Sequence, residues 1–166
     1  MAKPVRDSIS EYTELTLPND ANSLGTLFGG KLMQFVDVAA ALAAARHARC
    51  AVVTASIDQM TFLRPVEIGQ LVVLRSSVNR VFRTSMEVGV KVSVEDLQTG
   101  EVQHVSSAYL TFVGLDKERR RVEIEPVQPE TEDEKRRYEE AGERRAYRLQ
   151  MRQRVLDRVQ QDRKRE

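Results

Sequence analysis

The sequence holds one cysteine, Cys50, and two histidines, His47 and His104, in 166 residues. A lone thiol excludes a disulfide framework, and so few nitrogen and sulfur ligands exclude a multi-cysteine or histidine-rich metal site. No stretch approaches the ~18–20 uncharged apolar residues of a membrane span. The opening residues, Met1-Ala2-Lys3-Pro4-Val5-Arg6-Asp7, lack the apolar core of a signal peptide. A reducing, cytoplasmic setting is therefore expected. Neither sign of charge is in excess: 26 Lys+Arg stand against 25 Asp+Glu.

That balance hides an uneven distribution. Residues 1–116 carry 10 basic and 12 acidic side chains, whereas residues 117–166 carry 16 and 13. The first part has the composition of a globular body and is long enough to bury one core. The second is a solvated, charged tail. The expected divisions are an N-terminal arm (1–10), a body (11–116), a linker (117–129) and a helical tail (130–166). The tail opens on Glu130-Thr131-Glu132-Asp133-Glu134, acids that suit the positive end of a helix dipole. Its patchy apolar stripe (Tyr138, Ala141, Leu149, Val155, Leu156, Val159) is expected to pack on a partner, between subunits of an oligomer, or to fray in solvent.

Within the body, residues 12–17 alternate as a short strand, ended by Pro18-Asn19-Asp20. Residues 30–49 read as a helix: seven of the ten residues from Ala39 to Ala48 are alanine, the best helix former. Leu32, Phe35, Val36, Ala39, Ala40, Ala43 and His47 share one face at helical spacing. Apolar runs at 51–62, 71–82, 85–95 and 102–113 then follow, with Val72, Leu74, Val78 and Phe82 placed on one side of the second. Short links between strands mean antiparallel neighbours. One helix against such a sheet is a two-layer α+β domain. Its open, valine-rich edges favour a dimer.

Few residues offer chemistry. Gly25-Thr26-Leu27-Phe28-Gly29-Gly30-Lys31 fits most of a phosphate-binding P-loop, but Leu32 stands where Ser or Thr must hold Mg²⁺. What remains is a glycine turn whose N–H groups, at Gly29 and Gly30, lie at a helix start and suit an oxyanion. Asp37 is the only acid on the alanine-rich helix, among small apolar neighbours and away from its cations. Such a carboxylate either sits at the surface or serves as a base or nucleophile. Asn22 is a turn residue or orients a water. Cys50, His47 and His104 are core or strand residues with no nucleophile elbow to serve. Arg80, Arg83, Thr84 and Ser85 form a polar hairpin tip or a phosphate clamp.

These segments resemble the hotdog-fold acyl-CoA thioesterases, in the broad-range bacterial subgroup related to the cytosolic brain acyl-CoA hydrolase. The matching stretches are Asn22-Ser23-Leu24-Gly25-Thr26-Leu27-Phe28-Gly29-Gly30-Lys31-Leu32-Met33 with Asp37, then Val53-Thr54-Ala55-Ser56-Ile57-Asp58-Gln59-Met60-Thr61-Phe62-Leu63-Arg64-Pro65-Val66 and Gly69. Arg83-Thr84-Ser85-Met86 and Ala108-Tyr109-Leu110-Thr111-Phe112-Val113 complete the match, which leaves out the tail. The resemblance implies a long helix wrapped by a five-stranded curved antiparallel sheet, in a dimer or trimer of dimers. It implies hydrolysis of acyl-CoA, with Asp37 of one subunit working beside Asn22 of the other. Asp37 acts as general base or as nucleophile. Gly29 and Gly30 hold the thioester oxygen, Thr54 supports, and Arg83, Thr84 and Ser85 approach the CoA phosphates; cations of the tail are a second choice for those phosphates, set against its 13 acids. No metal or cofactor is implied beyond the coenzyme A of the substrate. The expected partners are acyl-CoA and further copies of the chain, not nucleic acid or membrane. A non-catalytic acyl-CoA sensor and a hotdog hydratase or dehydratase are the rival readings.

Overall fold

In the computed structural model, which describes residues 1–163, the alanine-rich stretch forms a helix, α1 (Gly29–Ala48). It follows an extended Phe28 and stops at Arg49, which adopts the left-handed conformation (φ 54°) and returns its N–H to the Ala45 carbonyl. The face read from helical spacing is the buried one. Val36, Ala39, Ala40, Ala43, Ala44 and His47 are fully enclosed, and Leu32 and Phe35 nearly so.

The strands are β1 (Lys3–Pro4), β2 (Ser10–Leu15), β3 (Ala51–Ile57), β4 (Leu71–Phe82), β5 (Ser85–Glu95), β6 (Val102–Leu115) and β7 (Val127–Gln128). Five form one antiparallel sheet in the order β2-β4-β5-β6-β3. Val72, Leu74, Val78, Met86, Val88, Val92 and Leu110 point inward onto α1. Register shifts at Thr54/Ser56, Val78/Arg80 and Val92/Ser93 bend the sheet around the helix. The result is the hotdog arrangement.

Two expectations are corrected by irregularities of the strands. The shift after Val78 reverses the alternation, so Phe82, paired with Ser85, faces away from the core that holds Val78. The strand expected over 51–62 ends at Ile57. Beyond it the chain still follows β6 loosely, with the Asp58 and Leu63 N–H groups donating to the Tyr109 and Val105 carbonyls at 2.9 Å each. β3 is an edge strand with Val53 and Ile57 exposed.

Residues read as arm and linker come together. β1 pairs in parallel with β7, and Val5, Ile124 and Val127 join the core. The tail is a second helix, α2 (Glu132–Arg163). It opens with a capping box: Thr131 Oγ1 accepts the Glu134 N–H at 3.2 Å, and the Glu134 carboxylate accepts the Thr131 N–H at 3.1 Å. The last three residues of the expected tail lie outside the described residues.

The first half of α2 lies on the outer face of this chain's own sheet. Its contacts are mostly arginines rather than an apolar stripe. Arg144 donates to both oxygens of the fully buried Glu87 on β5, one at 2.7 Å, and stacks on the Tyr109 ring at 3.7 Å. Arg148 bridges Glu87 (3.1 Å) and Asp58 (2.7 Å). Asn79 adds an amide hydrogen bond to Glu87 at 3.0 Å. Gly142 lets the helix approach: a Cβ there would stand 2.6 Å from Arg80 Nη1. Residues 149–161 are exposed throughout.

Candidate active site

Asp37 sits two turns into α1, half-buried, on the side turned toward β3. Its Oδ1 accepts the Thr54 hydroxyl at 2.7 Å. No cation pairs with it among the described residues. One carboxylate oxygen is thus fixed by a neutral donor, and the other keeps its acceptor capacity for a water or substrate. The alanine face that buries the helix also holds this carboxylate at the sheet edge.

Gly29 and Gly30 open α1. Neither N–H donates to an acceptor among the described residues, so both remain at the positive end of the helix. Just before them, Asn22 organises its own loop. Its Oδ1 accepts the N–H groups of Leu24 (2.9 Å) and Thr26 (3.2 Å), and its Nδ2 donates to Thr26 Oγ1 at 2.9 Å. Asn22 and Gly29 line one open cavity of about 390 Å³ with Leu27, Leu32 and residues 62–66. Asp37 and Thr54 do not line it. Within one chain, therefore, the structure joins Asp37 to Thr54 and Asn22 to Gly29, but not the two pairs to each other.

Arg83, Thr84 and Ser85 form the tip of the β4–β5 hairpin, with Arg83 in the left-handed conformation (φ 58°). The Arg83 guanidinium is exposed, 3.8 Å from the exposed Glu123 carboxylate. Ser85 Oγ accepts Arg145 Nη1 of α2 at 3.2 Å. Arg80 lies under α2, stacked on Tyr138 at 4.2 Å and donating to its carbonyl. Arg145 is the residue that sequence reasoning did not single out among the tail's cations. The basic cluster Arg144-Arg145-x-x-Arg148 was its only signal, and the tail's many charges masked it.

The weaker candidates settle into structural roles. Lys31, the lysine of the P-loop resemblance, lies 3.5 Å from Asp20 and over the Phe35 ring. His47 is enclosed, with Nε2 donating to the Glu125 carbonyl at 2.8 Å and Nδ1 unpartnered. Burial lowers its pKa below the ordinary histidine value. His104 Nε2 lies 3.3 Å from Ser107 Oγ, but its Nδ1 has no orienting carboxylate. Among the described residues, no group of three or more His, Cys, Asp or Glu side chains is placed to hold a metal ion, and no helix is long and apolar enough to cross a membrane.

A family model described as the thioesterase superfamily matches residues 24–101. A Bacillus subtilis (strain 168) protein, named as an uncharacterized acyl-CoA thioester hydrolase, is 47% identical over 122 residues, 74% of this chain and 71% of that protein. The chain belongs to this thioesterase family. The thioesterase relatives also include acyl-coenzyme A thioesterase 11 of Mus musculus, 41% identical over 84% of this chain. The chain spans only 23% of that longer protein. Among solved structures, an apo-hexameric acyl-CoA thioesterase superposes with a TM-score of 0.87 at 42% identity, covering 91% of this chain and 97% of its own. The acyl-CoA hydrolase of Staphylococcus aureus, in complex with butyryl coenzyme A, coenzyme A and coenzyme A disulfide, gives 0.87 at 32%, covering 96% and 99%. Three further structures of that hydrolase carry alanine in place of one aspartate, one asparagine or one threonine, and match at TM-scores of 0.83, 0.87 and 0.84.

Proposed function

We propose that this thioesterase hydrolyses acyl-CoA to a carboxylic acid and free coenzyme A, with Asp37 as general base. The carrying observation is the Asp37–Thr54 hydrogen bond at 2.7 Å, which orients a carboxylate that no cation neutralises among the described residues. Asp37 takes a proton from water as the water oxygen attacks the thioester carbon. The C–S bond then breaks, and the proton passes to the departing sulfur. The developing oxyanion is met by the free N–H groups of Gly29 and Gly30 at the start of a helix. Removing one such donor typically costs ~10²–10³ in kcat. Proton transfer and oxyanion stabilisation suffice for this reaction, so no metal or redox cofactor is proposed.

The site is completed by a second copy of the chain, with the partner subunit's Asn22 beside Asp37. Two features support this: the cavity that holds Asn22 and Gly29 excludes Asp37, and β3, which carries Thr54, is an exposed edge strand. In the staphylococcal hydrolase the replaced asparagine, aspartate and threonine stand at the same spacing along the chain as Asn22, Asp37 and Thr54 here. The hexameric neighbour favours a trimer of such dimers. Arg83, Thr84 and Ser85 are assigned to the CoA phosphates, and the lone free thiol fits a cytoplasmic setting.

The test is thiol release from acyl-CoA, followed with a thiol-reactive dye. Asp37→Ala and Asn22→Ala proteins are each expected to lose the activity, and mixing them under subunit exchange is expected to restore part of it. No thiol release by the unaltered protein would refute the hydrolase. Loss in both variants without recovery on mixing would refute the shared site.

A further inference from the structure

The arginines at the hairpin tip are not balanced by acids. Arg144 and Arg148 are taken up by Glu87 and Asp58. Arg83 has a distant partner in Glu123. Arg80 and Arg145 have no carboxylate within 4.0 Å among the described residues. Both are half-buried and share the Phe82 ring, at 5.4 and 4.4 Å from its centre. Phe82 is available to them only because the shift after Val78 turns it outward. Of the five N–H donors of its guanidinium, Arg145 uses one among the described residues, to Ser85 Oγ.

Holding a partly desolvated cation next to others is costly unless something offsets it. Burial, then repulsion from Arg148 and Arg80, pushes the Arg145 guanidinium below the ordinary arginine range. An anion would relieve this. The Arg145 fork reaches Ser85 Oγ at the hairpin tip, next in the chain to Thr84 and Arg83. A planar guanidinium fork suits an oxyanion rather than a neutral ligand, and a phosphate has oxygens enough to take the fork and an adjacent hydroxyl together. The tip lies two strands from β3, about 10 Å across the sheet. Coenzyme A carries its phosphates at the far end of the pantetheine arm from the thioester, so a phosphate site set apart from Asp37 suits it.

We propose that Arg145 of α2, backed by Arg80 across the Phe82 ring, completes with Ser85 a phosphate site that grips the nucleotide end of coenzyme A. This assigns the appended helix to substrate binding, and it rests on the reading of the chain as an acyl-CoA hydrolase. Arg145 is a binding residue and takes no part in the chemical step.

The experiment compares two substrates of the full chain: acyl-CoA and the corresponding acyl-pantetheine, which lacks the phosphates. Losing a hydrogen bond to a charged group amounts to roughly a tenfold loss of affinity or more. Arg145→Ala is expected to raise KM for acyl-CoA about tenfold more than for acyl-pantetheine, with Arg145→Lys between it and the unaltered protein. Equal changes on the two substrates, or none on acyl-CoA, overturn the proposal while leaving the hydrolase intact. If the unaltered protein releases no thiol from either substrate, the hydrolase reading has failed. Calorimetric titration with free coenzyme A then decides the site alone. Binding that weakens about tenfold in Arg145→Ala supports it, and binding that is absent or unchanged refutes it.

Discussion

The inner and outer faces of one sheet are covered by helices of opposite chemistry. α1 meets the inner face through alanines, Val36, Leu32 and Phe35, with strand valines closing around them. α2 meets the outer face through Arg144 and Arg148 on Glu87 and Asp58, and through Arg80 on Tyr138. Apolar contact is tolerant of detail, since it scales with area and has no direction. The outer contact depends on angles and partners, because Glu87 is fully buried and carries a charge. The inner helix bears the carboxylate proposed for chemistry, and the outer helix bears cations proposed for binding. A slim apolar packing surface fixes Asp37 against Thr54, while a charged one leaves Arg145 with unused donors.

That contrast is open to attack at several points. The largest effect is expected from Phe35→Ala, which should cost about 3–5 kcal/mol through lost contacts and a cavity. Denaturant melts at low and high salt should give the same loss. Glu87→Ala should cost about 3 kcal/mol by taking the buried anion from the half-buried Arg144 and Arg148, which keep only Glu140 and Asp58. Limited proteolysis should then cut within residues 132–148. A Glu87→Leu, Arg144→Met, Arg148→Met protein should recover much of the stability. If Glu87→Ala left both melting and proteolysis unchanged, α2 would be held by something other than this network.

His47 sharpens the comparison, being a polar residue on the apolar face. Its Nδ1 is enclosed without a partner, so protonation there is disfavoured in the folded chain. The unfolded chain takes up a proton near pH 6.5, the usual histidine value. The folded chain does not until the pH is lower. Stability is therefore full above that value, falls as pH drops through it, and levels off below the folded pKa. Melts from pH 7.5 to 5 should show this decline, and His47→Gln should flatten it. The smallest effect belongs to Tyr12, whose phenol donates to the Glu14 carboxylate and is pushed up to about 12 by that hydrogen bond, then by burial and the nearby charge. Alkaline absorbance titration of Tyr12→Phe should overlay the unaltered protein below pH 11. Its stability should fall by no more than ~1 kcal/mol.

The inner face was legible in the sequence because helical spacing and strand alternation report burial directly. Leu32, Phe35, Val36, Ala39, Ala40, Ala43 and His47 all lie where the wheel puts them. The β4 and β5 limits are the expected ones, since polar turn residues bound them. Phe82 was misplaced because a bulge leaves no mark in an alternating pattern. β3 ends before Phe62 because its last residues lose their ladder with β6, not their apolar character. The outer face was illegible for a different reason. An arginine in a charged helix looks the same whether it faces solvent or a buried glutamate, and Glu87 occupies an ordinary outward position on an alternating strand. Asp37 stood out as a lone acid among alanines. Its bond to Thr54 joins residues 17 apart and needed the folded edge of the sheet to appear.

The most direct measurement of the central claim is kcat for thiol release at saturating acyl-CoA in Asp37→Asn, which keeps size and hydrogen bonding but removes the base. A fall of about 10²-fold or more is expected, the usual contribution of general-base catalysis, with melting unchanged. Turnover equal to that of the unaltered protein would contradict it.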